Sequence, residues 1–246
     1  MISVIVPTLN EAAALPKLLR ALAAQDEAHE IIVADGGSAD GTIALAAAAG
    51  ARVVAAPRGR GAQLAAGATA ARGEILWFVH ADTAVPYTAM RALKHALDRA
   101  GVVGGNFRLL FDGGTRFARF MAAFYAAIRH LGLFYGDSGI FVRRDIYEAA
   151  GGIRPLALME DYDFVRRMKR AGRIMCIRFP PLVTSSRRFA GRNPAAIVSG
   201  WLAIHALFAL GVRSEVLARV YRSTVQAPGP RVRRSATSRI RIDRSR

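Results

Sequence analysis

Acidic side chains at three places in this sequence have the residue types and spacing for chemistry on a polar substrate. In MEDYDF, Glu160, Asp161 and Asp163 stand at the start of a predicted helix. A carboxylate in such a position can serve as general base and remove the proton of an attacking hydroxyl. Because the later turns of the same helix are basic (RRMKR), simple matching of the helix dipole is the competing interpretation.

The second place is the tripeptide HAD, in which His80 and Asp82 follow the apolar run ILWFV. Residues two apart on an extended chain face the same side, so the pattern predicts that these two side chains point together. A hard divalent cation can bind there through oxygen, with water and phosphate oxygens filling its other positions. The alternative is an aspartate that caps the next helix beside a packing histidine.

The third place is ADGGSADGT, which puts Asp35 at a predicted strand end before Gly37 and Ser38. A carboxylate at a strand end can accept a hydrogen bond from a base or a ribose hydroxyl, and the amides of the following turn favour anions. A well-capped turn between strand and helix explains the same residues without a ligand. The segment is neither a P-loop nor a G-x-G-x-x-G dinucleotide motif.

The elements around these residues alternate between short β-branched runs and Ala/Leu-rich stretches. Strands are predicted at SVIVP, EIIVAD, ARVVAAP and EILWFVHAD, with helices over 12–25, 42–49 and 63–71 between them. This alternation is typical of an α/β fold with a mainly parallel sheet flanked by helices. Ligands of such sheets bind beyond the carboxyl ends of the strands, where the polar loops would converge.

The order becomes mixed in the second half of the α/β region. We expect helices over 86–99, 115–133, 145–149 and 158–172, and a strand over 101–111. RIMCIRF and LVTSSRRF are two further strand candidates. Cys176, the single cysteine, is predicted to be a buried strand residue and excludes an internal disulfide.

Together these loops resemble the family 2 glycosyltransferases with the GT-A fold, over residues 2–189. IVPTLNE is similar to that family's opening strand, ADGGSADGT to its nucleotide turn, FVHADT to its metal-binding D-x-D segment and LMEDYDF to its catalytic-base helix. PRGRGAQL and GDSGIFVRR are similar to a compact bacterial subgroup. The resemblance implies a Rossmann-like mixed sheet and an inverting transfer of one sugar from a nucleotide-diphosphate sugar to a hydroxyl acceptor.

The resemblance also implies a role for each matching residue. Asp161 would be the catalytic base, with Glu160 beside it, and Asp82 with His80 would bind Mg²⁺ or Mn²⁺. The residues expected to bind the nucleotide sugar are Pro7, Thr8, Asn10, Glu11, Asp35, Gly37, Ser38, Arg58, Arg60, Gln63, Ala81 and Asp82. Those expected on the acceptor side are Asp137, Ser138, Arg187 and Arg188.

The sequence departs from the family pattern at several positions. His80 stands where most relatives have the first Asp of D-x-D, Ser138 where the subgroup usually has Gln, and Ala65 where it usually has Asn. The Q-x-x-R-W motif of processive synthases is absent, and Arg187 and Arg188 are only a partial substitute for it. Transfer of a single sugar is therefore favoured over polymerisation.

The C-terminal part differs in composition, so we divide the chain into a GT-A domain (1–192), apolar and amphipathic helices (193–226) and a disordered basic tail (227–246). Residues 194–212 are almost wholly apolar. They can form a short membrane span, an interfacial helix or a helix docked on the domain's own core. The Arg-rich tail is attracted to an anionic inner leaflet.

These features predict a cytoplasmic protein that is peripheral at the inner face of the membrane, since the N-terminus does not resemble a signal peptide. The acceptor would then be lipid-linked or apolar, such as a carotenoid or a polyprenyl-type lipid. A nucleotidyltransferase of similar fold is the alternative enzyme. A basic protein that binds nucleic acid or lipid is the non-enzymatic alternative, based on the net charge of +17. No specific nucleic acid is expected, because no stacking-aromatic motif accompanies the charge.

Overall fold

The computed structural model describes residues 1–113, 116–130, 134–185 and 194–224. Its strands are β1 (Ile2–Thr8), β2 (His29–Asp35), β3 (Arg52–Ala55), β4 (Ile75–Phe78), β5 (Val102–Phe111), β6 (Phe141–Arg143) and β7 (Arg173–Thr184). Its helices are α1 (Leu15–Ala23), α2 (Thr42–Ala48), α3 (Arg60–Ala70), α4 (Ala89–Leu97), α5 (Arg116–His130), α6 (Arg144–Ala149), α7 (Glu160–Met168), α8 (Pro194–Ala209) and α9 (Ser214–Thr224), with a 3₁₀ turn at Gly136–Ser138.

The seven strands form one mixed sheet in the order β3-β2-β1-β4-β6-β5-β7. The four strands β3, β2, β1 and β4 are parallel, whereas β6 runs antiparallel to both of its neighbours. This arrangement confirms the predicted α/β class with a mainly parallel sheet. Because β2, β1 and β4 are adjacent and parallel, the loops that follow them lie at one edge of the sheet.

Each face of the sheet buries its own apolar cluster. One cluster contains Trp77, Phe107 and Phe141, whose ring centroids lie 5.5 and 5.8 Å apart in successive pairs. The other contains Phe78 and Phe164, packed edge to face at 6.4 Å. Full burial of each such side chain stabilises the fold by roughly 1.5–3 kcal/mol. Burial on both faces explains why the inner strands are apolar at consecutive positions rather than at alternate ones.

Three helix starts differ from the prediction by three residues. Helix α4 begins at Ala89 rather than at residue 86. Helix α1 begins at Leu15 rather than at residue 12, and the amides of Glu11 and Ala12 bond the side chains of Thr42 and Asp40 instead. Helix α3 begins at Arg60, three residues earlier than expected, so that Arg60 lies on the helix instead of in the preceding loop.

The region predicted as two strands is the single strand β7, whose pairing with β5 shifts register between Phe107 and Leu109. Cys176 lies in this strand, as predicted, but it is only half-buried. Its thiol accepts a hydrogen bond from Arg129 at 3.0 Å. Burial raises the pKa of the Cys176 thiol, although the charge of Arg129 opposes this.

The C-terminal helices α8 and α9 pack on each other and on the start of α7. Ile204 and Leu217 are buried there together with Met159. No helix in the described part of the chain is long and apolar enough to cross a membrane. The predicted boundary at residue 192 and the predicted tail over 227–246 lie outside the described residues, as do Arg187 and Arg188.

Candidate functional site

Asp35 organises the loop that follows β2. It is 2% exposed, and its Oδ1 accepts hydrogen bonds from the amides of Gly37 and Ser38 at 2.9 and 2.7 Å. Its Oδ2 accepts from the hydroxyls of Thr8 and Ser38. Burial raises the pKa of Asp35, but these hydrogen bonds outweigh it and hold the pKa below its usual value. The carboxylate is therefore ionised at neutral pH and ties the end of β1 to the turn after β2.

The loop after β1 is fastened to the same turn. Asn10 donates its amide to Ser38 Oγ at 2.8 Å, and its side-chain oxygen accepts from the amide of Ala39 at 2.8 Å. Asn10 has a left-handed backbone with φ 57°, which asparagine tolerates better than most residues. Pro7 and Thr8 close β1, and Glu11 begins the next turn. The predicted nucleoside-binding residues thus belong to one connected surface.

Gln63 on α3 joins the two strand ends from beneath. Its Nε2 donates to the carbonyl oxygens of Thr8 and Ala34, at 2.6 and 3.0 Å, and the side chain is 5% exposed. These contacts place Gln63 under the loops rather than on their open side. Arg58, which was also expected to bind the nucleotide sugar, is exposed just before α3.

Arg60 at the start of α3 reaches the acidic helix α7. Its Nε donates to Glu160 in a close ion pair, and its Nη2 lies 3.4 Å from Asp161 Oδ2. The approach depends on Gly61, because a Cβ there would lie 2.8 Å from the carbonyl oxygen of Arg154 in the segment before α7. Helix α3 therefore connects the strand ends, through Gln63, with the predicted base.

The carboxylates of Glu160 and Asp161, at the start of α7, have different surroundings. Glu160 is 1% exposed, and burial raises its pKa even though Arg60 opposes the shift. Asp161 Oδ2 accepts a hydrogen bond from the amide of Gly136 at 2.7 Å. A Cβ at Gly136 would lie 3.2 Å from that oxygen and 3.4 Å from Nε2 of His80. The structure thus brings Asp161 and His80 to one point, next to the 3₁₀ turn.

The HAD segment does not continue the strand as the sequence reasoning assumed. Strand β4 ends at Phe78, and the chain turns so that the amide of Thr83 donates to the carbonyl oxygen of His80 at 3.1 Å. His80 lies beside Gly136, whereas Asp82 borders a separate groove that also contains Lys17 and Asp112. The premise that residues 80 and 82 face the same way was therefore wrong. Ala81 between them is buried.

The residues around Asp82 can supply one or two ligands of a cation, but not all of them. Among the described residues, no group of three or more His, Cys, Asp or Glu side chains is arranged to hold a metal ion. Mg²⁺, however, is commonly held by one or two carboxylates together with water and substrate phosphates. Asp82, with Asp112 on the same groove, offers that chemistry. The side chains fit a cation shared with a diphosphate, but not one held by protein ligands alone.

Asp137 and Ser138, both expected on the acceptor side, lie in different surroundings. Asp137 is 7% exposed and accepts a hydrogen bond from the hydroxyl of Tyr125 at 2.9 Å. Ser138 is 2% exposed, accepts from Asn106 Nδ2 at 3.1 Å and donates to the carbonyl oxygen of Tyr135 at 2.6 Å. Asp137 borders a cavity with Asp161, whereas Ser138 is not among the residues that line it.

This cavity contains most of the site residues that sequence reasoning missed. It occupies about 550 Å³ including its open mouth, and it lies between α5, α7 and the C-terminal helices. Its lining residues are Arg60, Tyr125, Tyr135, Asp137, Leu158, Met159, Asp161, Trp201, Ile204, His205 and Tyr221. The only sequence signal was that the apolar segment 194–212 needs a burial partner.

Met159, the residue before α7, has an unusual backbone for its type. Its φ of 67° is left-handed, a conformation that costs a non-glycine residue free energy. Its carbonyl oxygen nevertheless accepts the amide of Asp163 at 2.9 Å, and its side chain is 6% exposed between Ile204 and Leu217. The burial of this side chain against α8 and α9 therefore helps to hold the start of the acidic helix.

Known proteins provide an independent comparison. Residues 3–151 match the model of the family described as Glycosyl transferase family 2. None of the curated proteins matches the chain. The crystal structure of S. aureus TarS 1-349 has a TM-score of 0.63 and 18% identity, covering 84% of this chain and 65% of that one. For a longer S. aureus TarS chain the covered share falls to 39%, so this chain spans less than two thirds of either.

Two mycobacterial structures are similar over more of their own length. Glucosyl-3-phosphoglycerate synthase from Mycobacterium tuberculosis has a TM-score of 0.58 and 22% identity, covering 93% of this chain and 81% of that one. A structure described as a mycobacterial protein has a TM-score of 0.60 and 23% identity, covering 86% and 75%. These likenesses confirm the GT-A-type fold. Since the family match covers more than half of the sequence, the chain belongs to glycosyl transferase family 2.

Proposed function

We propose that this protein transfers a single sugar, with inversion, from a nucleotide-diphosphate sugar to a hydroxyl acceptor. The observation that supports this most strongly is the position of Asp161. Its carboxylate lies beside His80 of the HAD turn and Arg60, at the border of a cavity with several aromatic side chains in its lining. A general base must be within reach of both the acceptor and the donor's reacting carbon, and a carboxylate between the HAD turn and this cavity supports that role.

The donor would lie along the loops after β1 and β2. Asp35 and its turn, together with Asn10, form a rigid polar surface at the sheet edge, and the amides of such a turn favour anions. The glucosyl-3-phosphoglycerate synthase structure contains Mn²⁺ and uridine diphosphate, and a TarS structure contains UDP. Those ligands support a nucleotide-diphosphate donor for this chain too.

Asp82, with Asp112 on the same groove, would hold Mg²⁺ or Mn²⁺ on the diphosphate side, whereas His80 lies beside the proposed base. When bound, such a cation neutralises charge on the leaving diphosphate. Asp161 would accept the proton of the attacking hydroxyl, and the amide of Gly136 would keep its Oδ2 in place. Arg60 and Glu160 would hold the helix that carries the base.

The acceptor would be apolar or lipid-linked, and the protein would work at the inner face of the membrane. This part rests on α8, whose outer side exposes Leu202, with Leu210 just beyond the helix end, at 62% and 80% of their surface. Exposed leucines beside a strongly basic sequence suit an anionic lipid surface.

Thermal denaturation with a panel of nucleotide sugars, with and without Mn²⁺, tests the donor role, because a ligand that binds only the folded protein raises its apparent stability. We expect Asp82→Ala to lose the Mn²⁺-dependent stabilisation. Asp161→Asn should keep donor binding and lose turnover, measured as release of nucleoside diphosphate. Equal loss of donor binding in both variants would contradict the assigned roles. Release of pyrophosphate from nucleoside triphosphates would instead identify a nucleotidyltransferase.

A further inference from the structure

The cavity beside Asp161 is built mainly from parts of the chain that the family match does not cover. That match ends at residue 151, whereas Leu158, Met159 and the residues of α8 and α9 lie beyond it. Only the side formed by α3, α5 and the 3₁₀ turn belongs to the matched region. The family match therefore does not extend over the side of the cavity formed by the segment before α7, by α8 and by α9.

Aromatic rings form the walls of the cavity. Tyr125 packs edge to face against Tyr135 at 6.1 Å and against Trp201 at 5.8 Å. Tyr135 in turn packs against His205 at 5.5 Å. Rings held in this way offer rigid apolar surface at little cost in conformational entropy. Together with Leu158 and Ile204, they favour an apolar or flat group over a hydrated one.

The hydroxyls of two of these tyrosines are already hydrogen-bonded within the wall. Tyr125 donates to Asp137 at 2.9 Å, and the Tyr135 oxygen lies 2.8 Å from Nε2 of His205. Nδ1 of the same histidine lies 2.8 Å from the carbonyl oxygen of Trp201. Because these polar groups bond one another, a ligand would meet mainly ring carbon at this part of the wall.

The polar end of the cavity has an excess of negative charge. Asp137 and Asp161 border it, and Glu160 lies directly behind. The one guanidinium in the lining, that of Arg60, is ion-paired with Glu160 and Asp161. Burial is the main cause of the raised pKa of Tyr135, and the negative charges of Asp161 and Asp137 raise it further. Those charges would repel a second anion in a poorly hydrated site.

We infer that this cavity binds an uncharged apolar part of the acceptor, next to the hydroxyl that receives the sugar, and that it rejects acceptors carrying a carboxylate or a phosphate there. The inference rests on the proposed sugar transfer at Asp161. It adds the place where the acceptor binds, the charge that the site excludes and the C-terminal helices as the source of selectivity.

Two probes of equal chain length, 1-octanol and octanoate, test this by isothermal titration calorimetry on the full chain. We expect octanol to bind and octanoate to bind about tenfold more weakly or worse at neutral pH, since two carboxylates face the anion. Trp201→Ala should weaken octanol binding about tenfold, because it removes a large part of the wall. Val220→Ala is the matched control: the residue precedes Tyr221 on α9 but is exposed and outside the lining, so binding should not change.

Asp137→Asn tests the charge of the cavity without changing the size of a side chain. The variant keeps the size of the side chain and removes its charge, so octanoate should gain affinity relative to octanol. Equal binding of the two probes to the unmodified protein would overturn the inference. So would equal effects of Trp201→Ala and Val220→Ala, or an unchanged preference in Asp137→Asn, which remains decisive if Trp201→Ala does not fold.

Stabilisation by nucleotide sugars, measured on the same samples, separates the two proposals. If the unmodified protein binds a nucleotide sugar but shows no preference for octanol, the cavity inference fails and the proposed function stands. If it prefers octanol through Trp201 but binds no nucleotide sugar, the proposed function fails and the cavity remains an apolar, anion-excluding site.

Discussion

The backbone amide of Gly136 donates a hydrogen bond to Oδ2 of Asp161 over 2.7 Å, and this contact joins the 3₁₀ turn to the helix that carries the proposed base. The contact is close because Gly136 has no side chain. A Cβ at this residue would lie 3.2 Å from the same oxygen and 3.4 Å from Nε2 of His80. The position of the base therefore depends on a glycine far away in the sequence.

Gly136→Ala should displace the Asp161 carboxylate and lower kcat by about tenfold to a hundredfold, because small errors in the position of a catalytic group are costly. Donor binding, measured by thermal stabilisation, should stay close to that of the unmodified protein. Gly50→Ala is the control: its φ of 75° disfavours alanine, but open space surrounds it, so it should lose about 1 kcal/mol of stability and keep kcat. A normal kcat in Gly136→Ala would show that the contact does not matter.

Arg60→Ala should destabilise the fold by about 1–3 kcal/mol at neutral pH, because it leaves Glu160 buried without its cation and Arg60 itself is partly exposed. Burial already raises the pKa of Glu160 above 4.5, and removing Arg60 should raise it further. A carboxyl whose pKa is higher in the folded state contributes stability below its unfolded value and loses it as pH rises. The deficit of the variant should therefore shrink as pH falls toward 4.5 and be small below that value.

Urea denaturation across pH 3.5–8 measures this dependence, and Arg58→Ala, at an exposed position in the same motif, is the control. We expect Arg58→Ala to change stability by less than about 0.5 kcal/mol. An Arg60→Ala deficit that stays constant with pH would show that Glu160 is not the group that Arg60 stabilises.

Asp35→Asn should lower the free energy of unfolding by about 1–3 kcal/mol at neutral pH, because it weakens the bonds that the carboxylate accepts from Gly37, Ser38 and Thr8. The pKa of Asp35 is lower in the folded protein than its usual 3.8, so its contribution is present above that value and is lost as pH falls below it. The two proteins should therefore converge in stability as pH falls below 3.8, in denaturant titrations from pH 7 into the acidic range. If the difference in the free energy of unfolding between the two proteins does not change with pH, the effect of the substitution comes from side-chain shape and not from charge.

Leu202→Glu should weaken binding to vesicles that contain phosphatidylglycerol by roughly tenfold, since burial of a leucine contributes about 1.5–3 kcal/mol. The measurement is co-sedimentation at constant ionic strength. Leu45→Glu on α2 is the control, because Leu45 is exposed at 39% beside the first strands, away from α8. Similar losses in both variants would argue against a lipid-facing α8.

The proposed donor side was predictable because its signals are local. Strand β2 ends at Asp35 and helix α2 begins at Thr42, as the glycines and capping residues of ADGGSADGT indicated. The positions of Asp161 and Glu160 at a helix start followed from a run of acids before a basic stretch. In each case the residues that determine the structure are neighbours along the chain.

The proposed acceptor side was not predictable in the same way. The turn after β4 depends on the bond between Thr83 and His80, which no periodicity marks. Trp201 and Tyr125 meet only after α8 packs on α5, and segment 194–212, apolar on all sides, did not indicate which face would be covered. Arg60 was expected near a diphosphate because its motif lies in a loop, but the early start of α3 directs it to Glu160.

The left-handed backbone of Met159 also affects the order in which parts of the proposed site can form during synthesis. Its side chain is held by α8 and α9, which leave the ribosome after every strand of the sheet. The turn around Asp35 consists of residues synthesised much earlier. A nascent chain can therefore complete the surface proposed for the nucleotide before its proposed base reaches a working position, so the transfer chemistry would begin only once the last helices have docked.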